Sequence, residues 1–165
     1  MVLIPHILAG AVIGAKTHNL GLIIILGLIT HLILDKLPHW DYINHGIRNF
    51  SKTKDFKALF CDLFKILIDG LIGFLIVLLT LWFSSNVFML KDLIFILLGI
   101  FFAILPDIFL FSFVIIGGNF SEKYINLHHQ FFHTYKNKEK EGKITFFGLI
   151  TQILVIIISI IILFS

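Results

Sequence analysis

The sequence predicts an all-α membrane protein, a polytopic bundle of about five helices with the first one short, forming a single domain over residues 1–165. Three observations carry this expectation. Hydrophobic residues make up 58% of the chain and charged residues 14%, against about 45–50% and 25% in soluble domains. Mean hydropathy is +1.01. Most of the basic residues are gathered into two polar stretches, residues 36–57 and 119–144, which separate apolar runs of helical length.

Residues 2–16 form the first apolar segment. Pro5 suits a first helical turn, and Ala9, Gly10, Ala11, Gly14 and Ala15 let a second helix approach closely. The segment is shorter than the ~20 residues of a full span, so it is expected to tilt, to embed partly or to re-enter. Thr17-His18-Asn19 makes a tight turn, and residues 20–35 run back as a second helix. Pro38 disfavours helical geometry at Leu37 and ends that helix. After the first polar stretch, a third helix covers residues 58–83 and carries Asp62, Lys65 and Asp69 in otherwise apolar sequence. Ser84-Ser85-Asn86 marks a turn. The fourth helix, residues 91–117, is expected to be interrupted at Leu105-Pro106-Asp107 and closed by Gly117-Gly118. A fifth, residues 145–164, has Gln152 as its only strongly polar side chain.

A net charge of +3 is no sign of a nucleic-acid partner here, because the lysines read as a topology signal. Lys36, Arg48, Lys52, Lys54 and Lys57 occupy one polar stretch, and Lys123, Lys136, Lys138, Lys140 and Lys143 the other. The opposite side holds Lys16 and Lys91. Basic loops stay cytoplasmic, which places the protein in the inner (plasma) membrane as a multi-pass protein with the N-terminus in and the C-terminus out. The first residues lack a basic n-region, so no cleavable signal sequence is expected. Cys61 is a lone cysteine and forms no internal disulfide.

On this topology the candidate metal ligands fall on one side or in the adjoining half of the membrane. The stretch from His31 to Asp41 packs His31, Asp35, His39 and Asp41 into a helix end and the turn after it. His31 and Asp35 are four apart and share a helical face. His6 opens the first helix at the same side, and Asp62, Asp69 and Asp107 lie in the adjoining halves of their helices. His128, His129 and His133 follow in the second basic stretch, with His129 and His133 at the i, i+4 spacing by which two imidazoles share an ion. His18 alone lies opposite. Each group also has a plainer reading. The His31–Asp41 stretch could be a polar helix exit, Asp69 could pair with Lys65, Asp62 could be an interfacial charge, and the His128–His133 cluster an amphipathic surface segment. An aspartate inside a membrane helix nevertheless costs about 2.5–3.5 kcal/mol, and Asp107 has no nearby basic residue in its own helix.

Imidazoles mixed with carboxylates suit a divalent metal, zinc first and manganese second, as one ion or two. Such an ion lowers the pKa of coordinated water toward ~7, and a neighbouring carboxylate or imidazole, Asp41 or His39, then serves as general base. The metal candidates are His6, His31, Asp35, His39, Asp41, Asp69, Asp107, His128, His129 and His133. No Ser/His/Asp order, phosphate-binding glycine loop, dinucleotide fingerprint or paired-cysteine zinc motif is present.

The series His6, His31-x-x-x-Asp35, Pro38-His39-Trp40-Asp41, Leu105-Pro106-Asp107 and His128-His129 with His133 resembles a family of bacterial and archaeal inner-membrane proteins described as predicted membrane-bound metal-dependent hydrolases. The resemblance extends to about residue 135. It implies a membrane-embedded hydrolase whose His/Asp metal site faces the cytoplasm, acting on a phosphoester of a lipid or other membrane-associated substrate. Two other functions share the same residues: a metal-binding transporter and a membrane protein without chemistry. Against transport, the ligands cluster at one side and no inverted repeat with helices broken at the midplane is evident.

Overall fold

The computed structural model describes residues 2–41, 44–84, 88–116 and 145–165. Every regular element among them is a helix: α1 (Leu3–Thr17), α2 (Leu20–Lys36), α3 (His45–Thr53), α4 (Phe56–Phe83), α5 (Leu90–Ile116) and α6 (Phe146–Phe164). The five expected helices are present, and α3 is an additional one within the first polar stretch.

Local chemistry sets the boundaries. His18 closes α1 in the left-handed region at φ 44°. Asn19 caps α2, its Oδ1 accepting from Leu22 N at 3.1 Å. Leu37 is extended before Pro38, as a pre-proline residue prefers, and α2 stops there. Asp55 caps α4 by accepting from the N–H groups of Lys57 and Ala58, which starts that helix two residues earlier than expected. Thr145 caps α6 through Gly148 N. Helix α5 runs through Pro106 without a break, contrary to the interruption expected there. Proline removes one hydrogen bond from a helix, and the packing of α5 against its neighbours holds the remaining ones in register. The expected closure at Gly117-Gly118 lies outside the described residues.

Helix α3 forms because two elements meet. Its Ile47 and Phe50 are buried on Leu59 of α4. The buried Asp62 carboxylate of α4 accepts from Gly46 N at 2.7 Å and Ile47 N at 3.2 Å, satisfying N–H groups that a helix start leaves orphaned.

The short α1 lies at the centre and touches α2, α4, α5 and α6. Ile7, Leu8, Ala11 and Ala15 form the core with Val77, Ile96, Ile100 and Leu163. Its small residues do what their spacing implied. A Cβ on Gly14 would stand 2.1 Å from Phe95 O, and one on Gly10 2.5 Å from Gly99 O, so α1 and α5 cross backbone to backbone. Gly27 gives α2 a similar approach to Phe102 of α5.

Helices α4, α5 and α6 are long and apolar enough to cross a membrane, yet less than a quarter of the residues in each span is buried by other helices. Apolar side chains such as Leu67, Leu71, Leu97, Ile157 and Ile161 point outward. A helix apolar all round that its own protein does not cover has the bilayer for its solvent. The chain is a membrane helical bundle. Helix α1 has 15 residues and α2 has 17, about 22 and 26 Å at ~1.5 Å per residue, short of a ~30 Å hydrocarbon core.

Candidate metal centre

Three helices bring the polar residues together. On α2 the buried positions are Ile23, Gly27, His31, Leu34 and Asp35, a stripe at helical spacing, so His31 and Asp35 continue the line by which α2 packs inward. On α1, His6 lies in the first turn after Pro5, on the face shared with Gly10 and Gly14. On α5, Ile96, Ile100 and Ala103 face inward, and Asp107 follows one turn beyond Ala103.

The resulting cluster is compact. His6, His31 and Asp107 each present one donor atom within 4.8 Å of the others. His31 Nε2 is 3.2 Å from Asp35 Oδ2 and 3.8 Å from Asp107 Oδ1, and His6 Nε2 is 3.3 Å from Asp35 Oδ1. The two imidazoles stack at 4.4 Å between ring centroids. His6, His31 and Asp35 are sealed from outside at 0–1% exposure, while Asp107 retains 19% and forms the accessible edge.

Hydrogen bonding assigns the tautomer. His31 Nδ1 lies 2.8 Å from the Ala103 carbonyl. A carbonyl only accepts, so Nδ1 carries the proton, and in the neutral ring Nε2 presents its lone pair to the carboxylates. Imidazole lone pair and carboxylate oxygens repel unless a cation or a proton stands between them. Among the described residues neither His6 nitrogen has an aligned hydrogen-bond partner, Nε2 making only a close contact with Asp35. Buried imidazole nitrogens are ordinarily satisfied.

These residues fit a divalent metal ion. Bonds of about 2.0–2.1 Å to zinc place adjacent donors of a tetrahedron about 3.3–3.4 Å apart, close to the 3.2 and 3.3 Å contacts on Asp35. With both imidazoles neutral, the two carboxylates carry two negative charges, which a divalent cation cancels inside a low-dielectric bundle. The His31 Nδ1–H···O=C bond to Ala103 is the outer support that metal-bound histidines usually have.

His39 and Asp41 stand outside the trio whose donor atoms lie within 4.8 Å of one another, yet His39 lies within reach of the Asp35 and Asp41 charges. Thr151 Oγ1 donates to Pro38 O, Gln152 Nε2 to Trp40 O at 2.6 Å, and Gly148 leaves room for His39 and Trp40, so α6 holds residues 38–40 against itself. His39 Nδ1 donates to Leu37 O at 2.7 Å, which directs Nε2 away from its own backbone as the basic nitrogen. Burial holds the His39 imidazole below its ordinary pKa, while the Asp35 and Asp41 charges pull the other way. Asp69 accepts from Leu3 N at the start of α1, whose own N-cap, Val2, offers no side-chain bond. Lys65 pairs with Asp62 at 2.8 Å, and Asp62 is a buried cap for α3 rather than an interfacial charge. His128, His129 and His133 lie outside the described residues. The Ala103 carbonyl escaped sequence reasoning because a backbone acceptor leaves no residue-type signal.

No protein-family model matches this chain, and neither a curated protein nor a solved structure matches it significantly.

Proposed function

We propose that this protein is a membrane-embedded, metal-dependent hydrolase with its site at the cytoplasmic end of the bundle. The observation that carries the proposal is the convergence of His6, His31 and Asp107 from three helices, with Asp35 against both imidazoles. Two imidazole donors favour zinc, and carboxylates keep manganese as the second choice. The ion would supply Lewis acidity and a water of lowered pKa. Asp35 fixes both rings, Ala103 sets the His31 tautomer, and the exposed edge at Asp107 admits substrate. His39 and Asp41, which follow the end of α2, are the residues we assign to proton transfer. The substrate class we favour is a phosphoester of a lipid or another membrane-associated molecule, because a site between membrane helices is reached along the bilayer. The cytoplasmic side follows from the five Lys/Arg in each of the two basic stretches.

Purified protein in detergent should retain about one equivalent of zinc or manganese by elemental analysis. Asp107→Asn preserves shape but removes a charge and should lower retention by at least about tenfold, with His31→Ala lowering it further while the circular dichroism stays helical. Hydrolysis of a synthetic aryl phosphodiester should fall in parallel. Metal content unchanged in both variants would mean that the ion is held elsewhere, and would overturn this site. Metal lost without any hydrolysis in the wild type would favour metal handling.

A further inference from the structure

At the start of α4 the chain carries a feature outside the metal centre. Arg48, Lys52, Lys54 and Lys57 fall within ten residues whose only carboxylate is Asp55. Asp55 is occupied as the cap of α4. The stretch includes the end of α3, which is held against α4 by Ile47, Phe50 and Leu59. Lys54 lies over the Phe50 ring at 5.3 Å and remains exposed, as does Lys57.

Beside these lysines runs a groove of about 610 Å³, lined by Phe56, Lys57, Leu59, Phe60, Cys61 and Leu63. Lys57 is the single charged group along it. Phe56 and Phe60 are each 70% exposed, on the outer face of a helix whose sequence crosses the membrane. An apolar trough along the first turns of a helix apolar enough to span a membrane, with Lys57 in its lining and Lys54 two residues before Phe56, matches one kind of molecule: acyl chain below, negative headgroup above.

We propose that this groove binds an anionic phospholipid, its chain along Phe56, Phe60 and Leu63 and its phosphate against Lys54 and Lys57. Four to eight basic residues immediately beside a membrane helix attract acidic lipid, each contributing about a fivefold preference at low salt. The groove adds a fixed seat to that diffuse attraction. The site is independent of the metal centre, since Asp62 and Asp69 on the inner side of the same helix contact α3 and α1.

The test uses the full chain in detergent micelles containing equal phosphatidylglycerol and phosphatidylcholine of matched chains, with retained lipid counted by native mass spectrometry. The wild type should keep phosphatidylglycerol preferentially. Lys54→Gln with Lys57→Gln should reduce the preference about twenty-five-fold, and raised salt should weaken it in the wild type. Phe60→Ala should shorten retention of phosphatidylglycerol. Lys91→Gln, at the start of α5, should change nothing. Equal retention of the two lipids by the wild type, an unaltered preference in the double variant, an effect of Lys91→Gln as large as the double variant's, or full retention by Phe60→Ala would each overturn the proposal. Metal content and hydrolysis do not enter the readout, so the outcome stands whether or not the hydrolase reading does.

Discussion

Replacing Gly99 by alanine separates the helix contact on which the metal centre depends from the ligands themselves. A Cβ at Gly99 would lie 2.1 Å from Gly10 O and 2.8 Å from Gly14 N, both backbone atoms of α1 that no rotamer change can move. Ordinary contact begins near 3.4 Å, so α1 and α5 must part by about 1.3 Å. Alanine gains up to ~1 kcal/mol of helix propensity over glycine, while overpacking costs ~1–3 kcal/mol or more. The expected net loss is about 1–2 kcal/mol of stability. The consequence for the site is larger. Gly10 lies one turn beyond His6, and Gly99 one turn before Ala103, so parting the helices there carries His6 away from Asp107 and strains the His31–Ala103 bond. Metal coordination tolerates about 0.2 Å, and retention should fall at least about tenfold. Gly70→Ala is the control, because its Cβ would meet only Leu3 Cδ1 at 3.8 Å, an ordinary contact. Thermal melting in detergent and elemental analysis read both effects. If Gly99→Ala melts and binds metal as Gly70→Ala does, the close crossing does not position the site.

Two further outcomes follow from the geometry. Asp69→Ala leaves a half-buried Leu3 N–H without its acceptor, which costs up to ~1–3 kcal/mol and should loosen His6 three residues on; Asp69→Asn keeps an acceptor and should retain most of the stability and metal. Equal metal loss in the two variants would instead make the Asp69 charge a ligand. Cysteines introduced at Asn49 and Asn137 should resist an impermeant thiol reagent in intact cells while one at Asn86 reacts, and labelling of the first two would reverse the assigned sidedness.

The sequence by itself determined the helices that span and the pairing of His31 with Asp35, because both follow from local rules. Long apolar runs demand a bilayer, and residues four apart on one helix share a face. The small residues of α1 likewise announced a close neighbour, though not that the neighbour was α5. Periodicity could not choose the inward face of α2. Ile23 and Leu34 point in while Leu22, Ile25 and Ile29 point out, and lipid and core reward the same side chains, so only Gly27, His31 and Asp35 distinguish the stripe. Tertiary structure decided the rest. Asp62 and Asp69 look alike in a sequence of buried carboxylates, yet one starts α3 and the other starts α1, because each lies beside a helix end with orphaned N–H groups. His39 is close to His31 along the chain, but its backbone runs with residues 38–40 against α6, where Gly148, Thr151 and Gln152 receive it. Asp107, 76 residues after His31, approaches it because Gly99 and Gly27 let three backbones come near. A carboxylate's partner is set by which helix end or imidazole stands opposite it, and that is a property of helix packing, which no local pattern encodes.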